Sequence, residues 1–292
     1  MMTKHFHICC DGSFGNRYSG LIGGLTLARL CELPVRISWP STNMCRANFY
    51  DIFSNENNFE VVNLNIREYY SVGHQYNLIS CDAAYLQFFN LDVRIDPINL
   101  SVDTFIQVVN SSNKPVFYYT PLLYDWIPEQ ELKKTIKEVL FNENIIGRVN
   151  NFQTEKGLQG DYFGIHLRMT DFENIESFDI DYWINVVAEK KTQKFFVCSD
   201  DLSTEAKFDK LSNAFSYPKV YKTEKYIPEG GWHHPYIDDD GRHSVFNVER
   251  GVEHVKEAVI DFLLLSLSSP FETGKHSTFL KMAKKVGDAL KS

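Results

Sequence analysis

The stretch Asp161-Tyr-Phe-Gly-Ile-His-Leu-Arg-Met-Thr-Asp171 decides the fold of the second half of this 292-residue chain. Its short apolar run predicts a buried β-strand over residues 161–168. His166 and Arg168 then stand at the carboxyl end of the strand, where α/β proteins bind their ligands. The planar guanidinium of Arg168 offers paired donors that suit a phosphate or diphosphate. The stretch therefore predicts an anion site, and a core His with a structural Arg ion pair is the alternative for this motif taken alone.

Strand and helix patterns alternate on both sides of this stretch. The predicted strands are 5–10, 34–39, 60–64, 115–119, 161–168, 194–199, 219–222 and 268–273. The predicted helices are 19–33, 128–142, 179–190, 203–214, 249–267 and 276–290. Such alternation predicts parallel sheets with helices on both faces. The polar segment Asn150–Gly160 is interpreted as a linker, which gives domains over 1–150 and 151–292, in line with about 150 residues per domain.

A glycine-containing loop follows the first predicted strand, in the stretch Asp11-Gly-Ser-Phe-Gly-Asn-Arg-Tyr-Ser-Gly-Leu21. Gly12 and Gly15 permit a sharp turn with close backbone approach to a ligand. We expect Asn16 and Arg17 to point from this turn into a crevice. A dinucleotide-binding loop is the alternative, but the full Gly-x-Gly-x-x-Gly pattern is missing and no acidic residue ends a clear second strand.

Two further stretches have polar residues at the ends of apolar runs. The first, Lys194–Asp201, is a strand that leads into Ser199 and Asp200. The second has Asp261 and the pair Leu265-Ser266, and is followed by Phe271-Glu-Thr-Gly-Lys-His-Ser-Thr-Phe279. Both place donors and acceptors where a strand ends or a helix begins.

Taken in order, these stretches resemble the three signature motifs of the GDP-fucose-dependent α1,6-fucosyltransferases, nodulation fucosyltransferases and protein O-fucosyltransferases. The loop 11–21 resembles the loop at the same place in that superfamily. Met169 and Phe172 depart from it, since they replace an Arg and a Lys of the α1,6 enzymes. The resemblance covers the first 40 residues and most of 160–285, while 41–150 resembles no family that we can name.

The resemblance implies an α/β protein of the GT-B fold, with two Rossmann-like domains that face a central cleft. Residues 1–150 are then the acceptor-side domain, and 151–292 bind the nucleotide sugar. The implied activity is inverting, metal-independent transfer of fucose from GDP-fucose to a hydroxyl of a glycan or protein glycan. GDP-fucose is the donor substrate, and no cofactor is expected.

Individual roles follow from the resemblance together with the chemistry of the leaving diphosphate. Arg168 would hold the β-phosphate as negative charge grows on it. The amides around residues 276–279, at the start of a helix, would add partial positive charge.

Asp261 would accept from N1–H and N2–H of guanine; a paired carboxylate within a helix is the alternative. Glu176, ten residues after His166, stands at the ungapped position of the family's base; an exposed loop Glu is the alternative. The expected donor-binding residues are Gly15, Asn16, Arg17, His166, Asp171, Ser199, Asp200, Asp261, His276, Ser277, Thr278 and Phe279.

The loop Tyr226–Arg250 is long for a compact domain, and such loops often cover binding sites. We expect it to form an acceptor-side or donor-side lid in which aromatic rings stack on sugars. A metal site built from its His and Asp residues is the alternative, but the spacing fits no closed zinc pattern. The lid candidates are Trp232, His233, His234 and Tyr236.

Composition restricts the partners and the compartment. The formal net charge of −8 argues against a general nucleic-acid binder. The six cysteines form no Cys-x-x-Cys pair, which favours a reducing cytoplasm. We expect neither a signal peptide nor a transmembrane segment, and hence a cytoplasmic location.

Two other functions agree with the same residues. One is a GT-B transferase for another GDP-deoxysugar, such as GDP-rhamnose. The other is a non-catalytic relative that binds a nucleotide or glycan. The acceptor is not identified by the sequence.

Overall fold

A computed structural model describes residues 4–42, 44–64, 76–80, 94–95, 101–120, 123–168, 179–220, 236–237, 243–244, 250–270 and 277–292. The chain divides into two compact units. The N-terminal unit comprises Met1–Thr42, Asn48–Leu140 and Ser292, and the C-terminal unit comprises Asn43–Ala47 and Phe141–Lys291. The main division therefore falls at Leu140–Phe141, ahead of residue 150.

The N-terminal unit is built on a parallel sheet. Its strands are β1 (Phe6–Cys9), β2 (Val35–Ser38), β3 (Glu60–Val62), β4 (Asn77–Ser80), β5 (Arg94–Ile95) and β6 (Val116–Tyr119), in the order β3-β2-β1-β6-β4-β5. Its helices are α1 (Phe14–Leu30), α2 (Phe49–Ile52), α3 (Val102–Asn110) and α4 (Glu129–Glu138). The chain leaves β1 towards β2 on one side and returns to β6 on the other. This reversal is the switch point at which α/β sheets form a crevice.

Helix α1 packs unusually close to this sheet. A Cβ added at Gly24 would lie 2.8 Å from Cγ1 of Ile8, and one added at Gly20 would lie 2.7 Å from the carbonyl oxygen of Thr120. Small residues on the inner face let the helix backbone approach the strands. The helix begins at Phe14, five residues before the predicted start at 19, so Gly15 to Arg17 form its first turn rather than a loop.

The C-terminal unit has a second parallel sheet. Its elements are α5 (Glu143–Lys156), β7 (Phe163–Leu167), α6 (Ile180–Glu189), β8 (Phe195–Ser199), α7 (Leu202–Ala206), β9 (Ala214–Phe215), a hairpin of β10 (Tyr236–Ile237) and β11 (His243–Ser244), α8 (Val252–Leu267), β12 (Ser269–Pro270) and α9 (Thr278–Lys291). The order is β12-β7-β8-β9. The predicted strands 161–168 and 194–199 and the predicted helix 179–190 are confirmed. The helices predicted over 249–267 and 276–290 are also present, but they begin at Val252 and Thr278, and residues 249 and 276 lie outside the described residues.

Three predicted elements differ from the structure. The helix expected over 203–214 ends at Ala206, and the following residues form turns and the short strand β9. The expected strand 219–222 is absent at residues 219 and 220, while 221 and 222 lie outside the described residues. The helix expected over 128–142 ends at Glu138, after which α5 begins.

The polar segment interpreted as a linker is largely the second half of α5. Ile145, Val149 and Phe152 are buried at helical spacing, and the remaining face of the helix carries the polar residues that suggested a loop. Gly157 ends the helix with φ 61°, a left-handed conformation that glycine adopts at low cost.

Helix α8 packs against β7, β8 and α9. A Cβ at Gly287 of α9 would collide with the carbonyl oxygen of Ser266, and one at Gly164 would collide with the hydroxyl of Ser268. The backbone of α9 therefore touches the backbone of α8, and the backbone of β7 touches side chains at the end of α8. Among the described residues, no helix is both long and apolar enough to cross a membrane.

Candidate functional site

The first two motifs end at the same edge of the C-terminal sheet. Strands β7 and β8 are parallel and in register up to the pair Leu167 and Ser199. Arg168 follows β7 directly and Asp200 follows β8 directly, and both residues are half-buried. The carboxyl ends of the two strands therefore bring the Arg of the first motif and the Ser-Asp pair of the second together.

The third motif reaches the same strand through an aromatic contact. The rings of His166 and Phe279 are stacked, with centroids 5.1 Å apart and an interplanar angle of 26°. Phe279 in turn meets Phe262 of α8 edge to face, at 5.4 Å. The amino end of α9 is thus held against β7, close to the carboxyl end of that strand.

Ser277 caps α9. Its hydroxyl accepts a hydrogen bond from the amide of Leu280 at 3.3 Å, and its carbonyl accepts from the amide of Lys281 at 3.0 Å. The residue is buried. The cap uses the Ser277 oxygen as an acceptor, so its O–H remains a donor for a ligand, while Thr278 is half-buried in the first turn.

The Ser-Asp-Asp turn after β8 is tightly bonded. Asp201 caps α7 by accepting from the amide and hydroxyl of Thr204, at 3.0 and 2.7 Å. Ser199 donates its amide to Glu205 at 2.7 Å, and its hydroxyl accepts from the Asp201 amide at 3.0 Å. The amide and the hydroxyl of Ser199 are therefore both used to hold this turn.

Asp261 takes part in a buried charged cluster that the sequence analysis missed. Lys219 Nζ lies 2.9 Å from Oδ2 of Asp261 and also contacts Oε1 of Glu205. The three side chains are 11%, 6% and 7% exposed. Within the described parts of the chain, Oδ1 of Asp261 is buried and has no hydrogen-bond partner. A buried acceptor left in this way costs free energy until a donor reaches it.

The cluster is acidic, and its pKa shifts reflect burial and mutual repulsion. Burial raises the pKa of Asp261 to about 6, against the opposing effect of Lys219. Burial and the Asp261 charge raise the pKa of Glu205 to about 7. Burial alone would lower the pKa of Lys219, but the charges of Asp261 and Glu205 raise it above its usual range. The neighbouring Cys198 thiol has a pKa raised well above its ordinary value, chiefly by burial.

The segment that delivers Lys219 is anchored on both sides. Tyr217 packs on Phe152 of α5, with ring centroids 5.3 Å apart, and its hydroxyl accepts from Arg148 at 3.0 Å. The amide of Val220 donates to Glu257 of α8 at 2.9 Å. The buried position of Lys219 is therefore built by contacts on either side of it.

In the N-terminal unit, Arg17 holds the loop after β1. It is fully buried, lies over the ring of Trp39 at 5.1 Å, and donates to the carbonyls of Gly12 and Pro40 at 2.7 and 2.6 Å and to Thr42 at 2.9 Å. This structural task differs from the expectation that Arg17 points into a crevice. Its first-turn neighbours differ in exposure, since Gly15 is buried and Asn16 is half-buried.

Several expected site residues lie outside the described residues, and their roles stay predictions. These are Asp171, Glu176, Trp232, His233, His234 and His276. For Tyr236 the structure describes only the backbone, in β10. Over the described residues, no group of three or more His, Cys, Asp or Glu side chains is arranged to hold a metal ion.

The chain has two α/β units, each built on its own parallel sheet, as GT-B proteins have. Solved structures share that fold over nearly the whole chain. They include fucosyltransferase NodZ from Bradyrhizobium, with 13% identity, a TM-score of 0.58 and coverage of 97% of this chain and 93% of the other. NodZ α-1,6-fucosyltransferase soaked with GDP-fucose has 14% identity, a TM-score of 0.60 and coverage of 98% and 93%.

POFUT1 in complex with GDP-fucose is similar at 11% identity and a TM-score of 0.52, covering 98% of this chain and 95% of the other. No family model matches the sequence, and no curated protein matches it significantly. The expected fold class is therefore confirmed, and a sequence identity of 11–14% shows the fold alone.

Proposed function

We propose that this protein is an inverting, metal-independent glycosyltransferase that moves fucose from GDP-fucose to a hydroxyl of a glycan or protein glycan. The observation that carries the proposal is the meeting of three motifs around β7 and β8. Arg168 and Asp200 follow neighbouring parallel strands, and Phe279 at the start of α9 stacks on His166 of β7. The fold of structures solved with GDP-fucose supports the same donor.

In this proposal the diphosphate lies at the carboxyl ends of β7 and β8. Arg168 stabilises the negative charge that develops on the β-phosphate when the glycosidic bond breaks. The amino end of α9 contributes partial positive charge from the helix dipole, and the Ser277 hydroxyl adds a donor. His276 and Asp171 complete the predicted donor contacts.

The nucleobase is assigned to Asp261. Its Oδ2 is occupied by Lys219, but its buried Oδ1 has no donor among the described residues. Guanine offers the adjacent N–H groups that such an acceptor needs, and adenine offers no equivalent pair at that edge. Oδ1 is covered by protein atoms, so the base reaches it only when neighbouring side chains shift.

The remaining roles rest on the sequence. Glu176 is proposed as the base that takes the proton of the acceptor hydroxyl, and the segment with Trp232, His233, His234 and Tyr236 is proposed to cover the sugars. The C-terminal unit is assigned to the donor and the N-terminal unit to the acceptor. The five described cysteines are buried and form no disulfide with one another, which supports a reducing, cytoplasmic setting.

A panel of nucleotides tests the donor assignment. GDP should raise the unfolding temperature of the protein, while UDP, ADP and CMP should leave it nearly unchanged, because only a specific ligand stabilises the native state by mass action. Release of GDP from GDP-fucose, compared with GDP-rhamnose, then identifies the sugar. Equal stabilisation by all four nucleotides would contradict the guanine assignment, and GDP binding without turnover of any GDP-sugar would favour the non-catalytic relative.

A substitution at the base site tests the role of Asp261. Asp261→Asn should weaken GDP binding by about 1–3 kcal/mol, because a charged acceptor is lost and an N–H donor of Asn faces the N–H groups of guanine. Calorimetry with GDP and with inosine diphosphate, which lacks the 2-amino group, measures the effect. The preference for GDP should shrink in the variant.

Asp209→Asn is the matched control, since Asp209 is exposed in the same unit. It should bind GDP as the wild type does. Unchanged GDP affinity in Asp261→Asn would move guanine recognition to another residue.

A further inference from the structure

The buried cluster around Asp261 has a feature that donor binding alone does not explain. A carboxylate needs no lysine in order to accept from guanine, and burying Lys219 beside it has a desolvation cost. Lys219 is nevertheless 11% exposed, and its Nζ contacts Glu205 and Asp261 and lies 3.4 Å from the carbonyl oxygen of Ser199. Its three N–H donors therefore have three protein acceptors.

The geometry divides the two oxygens of Asp261 between two tasks. Oδ2 is bonded to Lys219 at 2.9 Å, while Oδ1 is left without a donor among the described residues. A carboxylate held at one oxygen by a fixed cation cannot rotate freely, so the direction of the other oxygen is set. Lys219 thus determines where Asp261 presents its remaining acceptor.

The surroundings of Asp261 would otherwise favour its neutral form. The charged and titratable groups that face it are Cys198 of β8, Glu205 of α7, Lys219 of the segment after β9, and Glu257 of α8. Lys219 is the single cation in this set of described residues. Without it, a buried carboxyl beside two other carboxylates would take up a proton.

We propose that Lys219 is a positioning residue for nucleobase recognition: it keeps Asp261 ionised and directs Oδ1 towards the N–H groups of guanine. Glu205 holds Lys219 in place and at the same time competes with Asp261 for its charge. The inference rests on the proposed GDP site and adds the residue on which that site depends.

The proposal predicts shifts of opposite direction in two variants. GDP affinity should fall on the acid side as Asp261 is protonated. We call this fall of GDP affinity with falling pH the acid limb. Lys219→Met removes the cation, so the midpoint of the acid limb should move to higher pH by about one unit or more. GDP affinity near neutral pH should then fall about 10-fold or more. Glu205→Gln removes a competing negative charge but keeps the acceptor for Ser199 and Lys219. The midpoint of the acid limb should therefore move to lower pH.

The experiment is calorimetric titration with GDP from about pH 5 to about pH 9 on the whole 292-residue chain. The titration of the GDP phosphate is common to all variants and cancels in the comparison with wild type. Lys219→Arg retains the charge and should restore the wild-type limb. Lys207→Met is the matched control, since Lys207 is exposed and two residues from Glu205.

Lys219→Met leaves two buried carboxylates without a cation, and the variant can fail to fold. The double variant Glu205→Gln/Lys219→Met removes one charge of each sign and provides a second comparison. Its acid limb should lie above that of Glu205→Gln alone, since the only difference between the two is the cation.

The outcomes separate this inference from the proposed function. Equal weakening at every pH in Lys219→Met and Glu205→Gln would give Lys219 a structural role only and overturn the inference, as would unchanged profiles. Both results leave the GDP site intact. A wild-type protein that binds no GDP would overturn the proposed function together with this inference.

Discussion

Replacing Arg168 with Ala should lower the rate of transfer from GDP-fucose by at least about 100-fold, the range expected when one transition-state donor is removed. The proposed reaction breaks a bond to a diphosphate, so negative charge should increase on the leaving group towards the transition state. Arg168 stands at the carboxyl end of β7, beside the end of β8 and the amino end of α9. In the proposed mechanism, a guanidinium there contributes more in the transition state than in the ground state, so its loss should lower kcat more than GDP-fucose binding.

Initial rates with GDP-fucose and a verified acceptor measure the effect, and thermal unfolding checks that the fold is kept. Arg168→Lys keeps the charge but loses the paired donors, and should recover only part of the activity. Arg36→Ala is the matched control, because Arg36 forms an exposed pair with Glu60 in the other unit, of the kind that contributes little to stability. Near-normal turnover in Arg168→Ala would mean that the diphosphate lies elsewhere.

The strands and helices that carry the motifs could be predicted because their patterns are local. Short apolar runs gave β7 and β8, and each run ends at the polar residue that defines its motif. Parallel pairing then follows from the alternation of strands and helices, and it brings Arg168 and Asp200 to one edge. The residues of the candidate site that follow strand ends can therefore be predicted from the sequence.

The buried Lys219 could not be predicted in the same way. A lysine between a proline and a valine is usually a solvent-exposed residue. Its partners Glu205 and Asp261 lie 14 and 42 residues away in the chain (219 − 205 and 261 − 219), so only the packing of α7 and α8 creates the cluster. No spacing rule links three such residues.

The role of Arg17 also depends on residues that are distant in the sequence. Its place after a glycine turn favoured a ligand contact, but its partners Trp39, Pro40 and Thr42 follow β2, which pairs with β1. The contact depends on the neighbouring strand and not on the loop itself. Helix α5 was missed for a related reason: only Ile145, Val149 and Phe152 are buried, and its polar face suggested a linker.

The last prediction concerns Glu176, which lies outside the described residues and is assigned from its position ten residues after His166. Inversion at the anomeric carbon requires a group that takes the proton of the acceptor hydroxyl. Glu176→Gln keeps the size and hydrogen-bonding capacity of the side chain but removes the basic carboxylate. Transfer to the acceptor should fall by about 10²–10⁴-fold, the usual contribution of general base catalysis, while GDP affinity should be retained.

Two assays on the same variant separate the base from a donor-binding role. Calorimetry with GDP should give the wild-type affinity, and initial rates with a verified acceptor should show the loss. Glu189→Gln, an exposed residue of α6, is the matched control and should transfer fucose at the wild-type rate. Glu173→Gln tests the nearest alternative carboxylate. Wild-type transfer in Glu176→Gln would remove Glu176 from the mechanism. A loss confined to Glu173→Gln would make Glu173 the base. Either result leaves the proposed role of Arg168 unchanged.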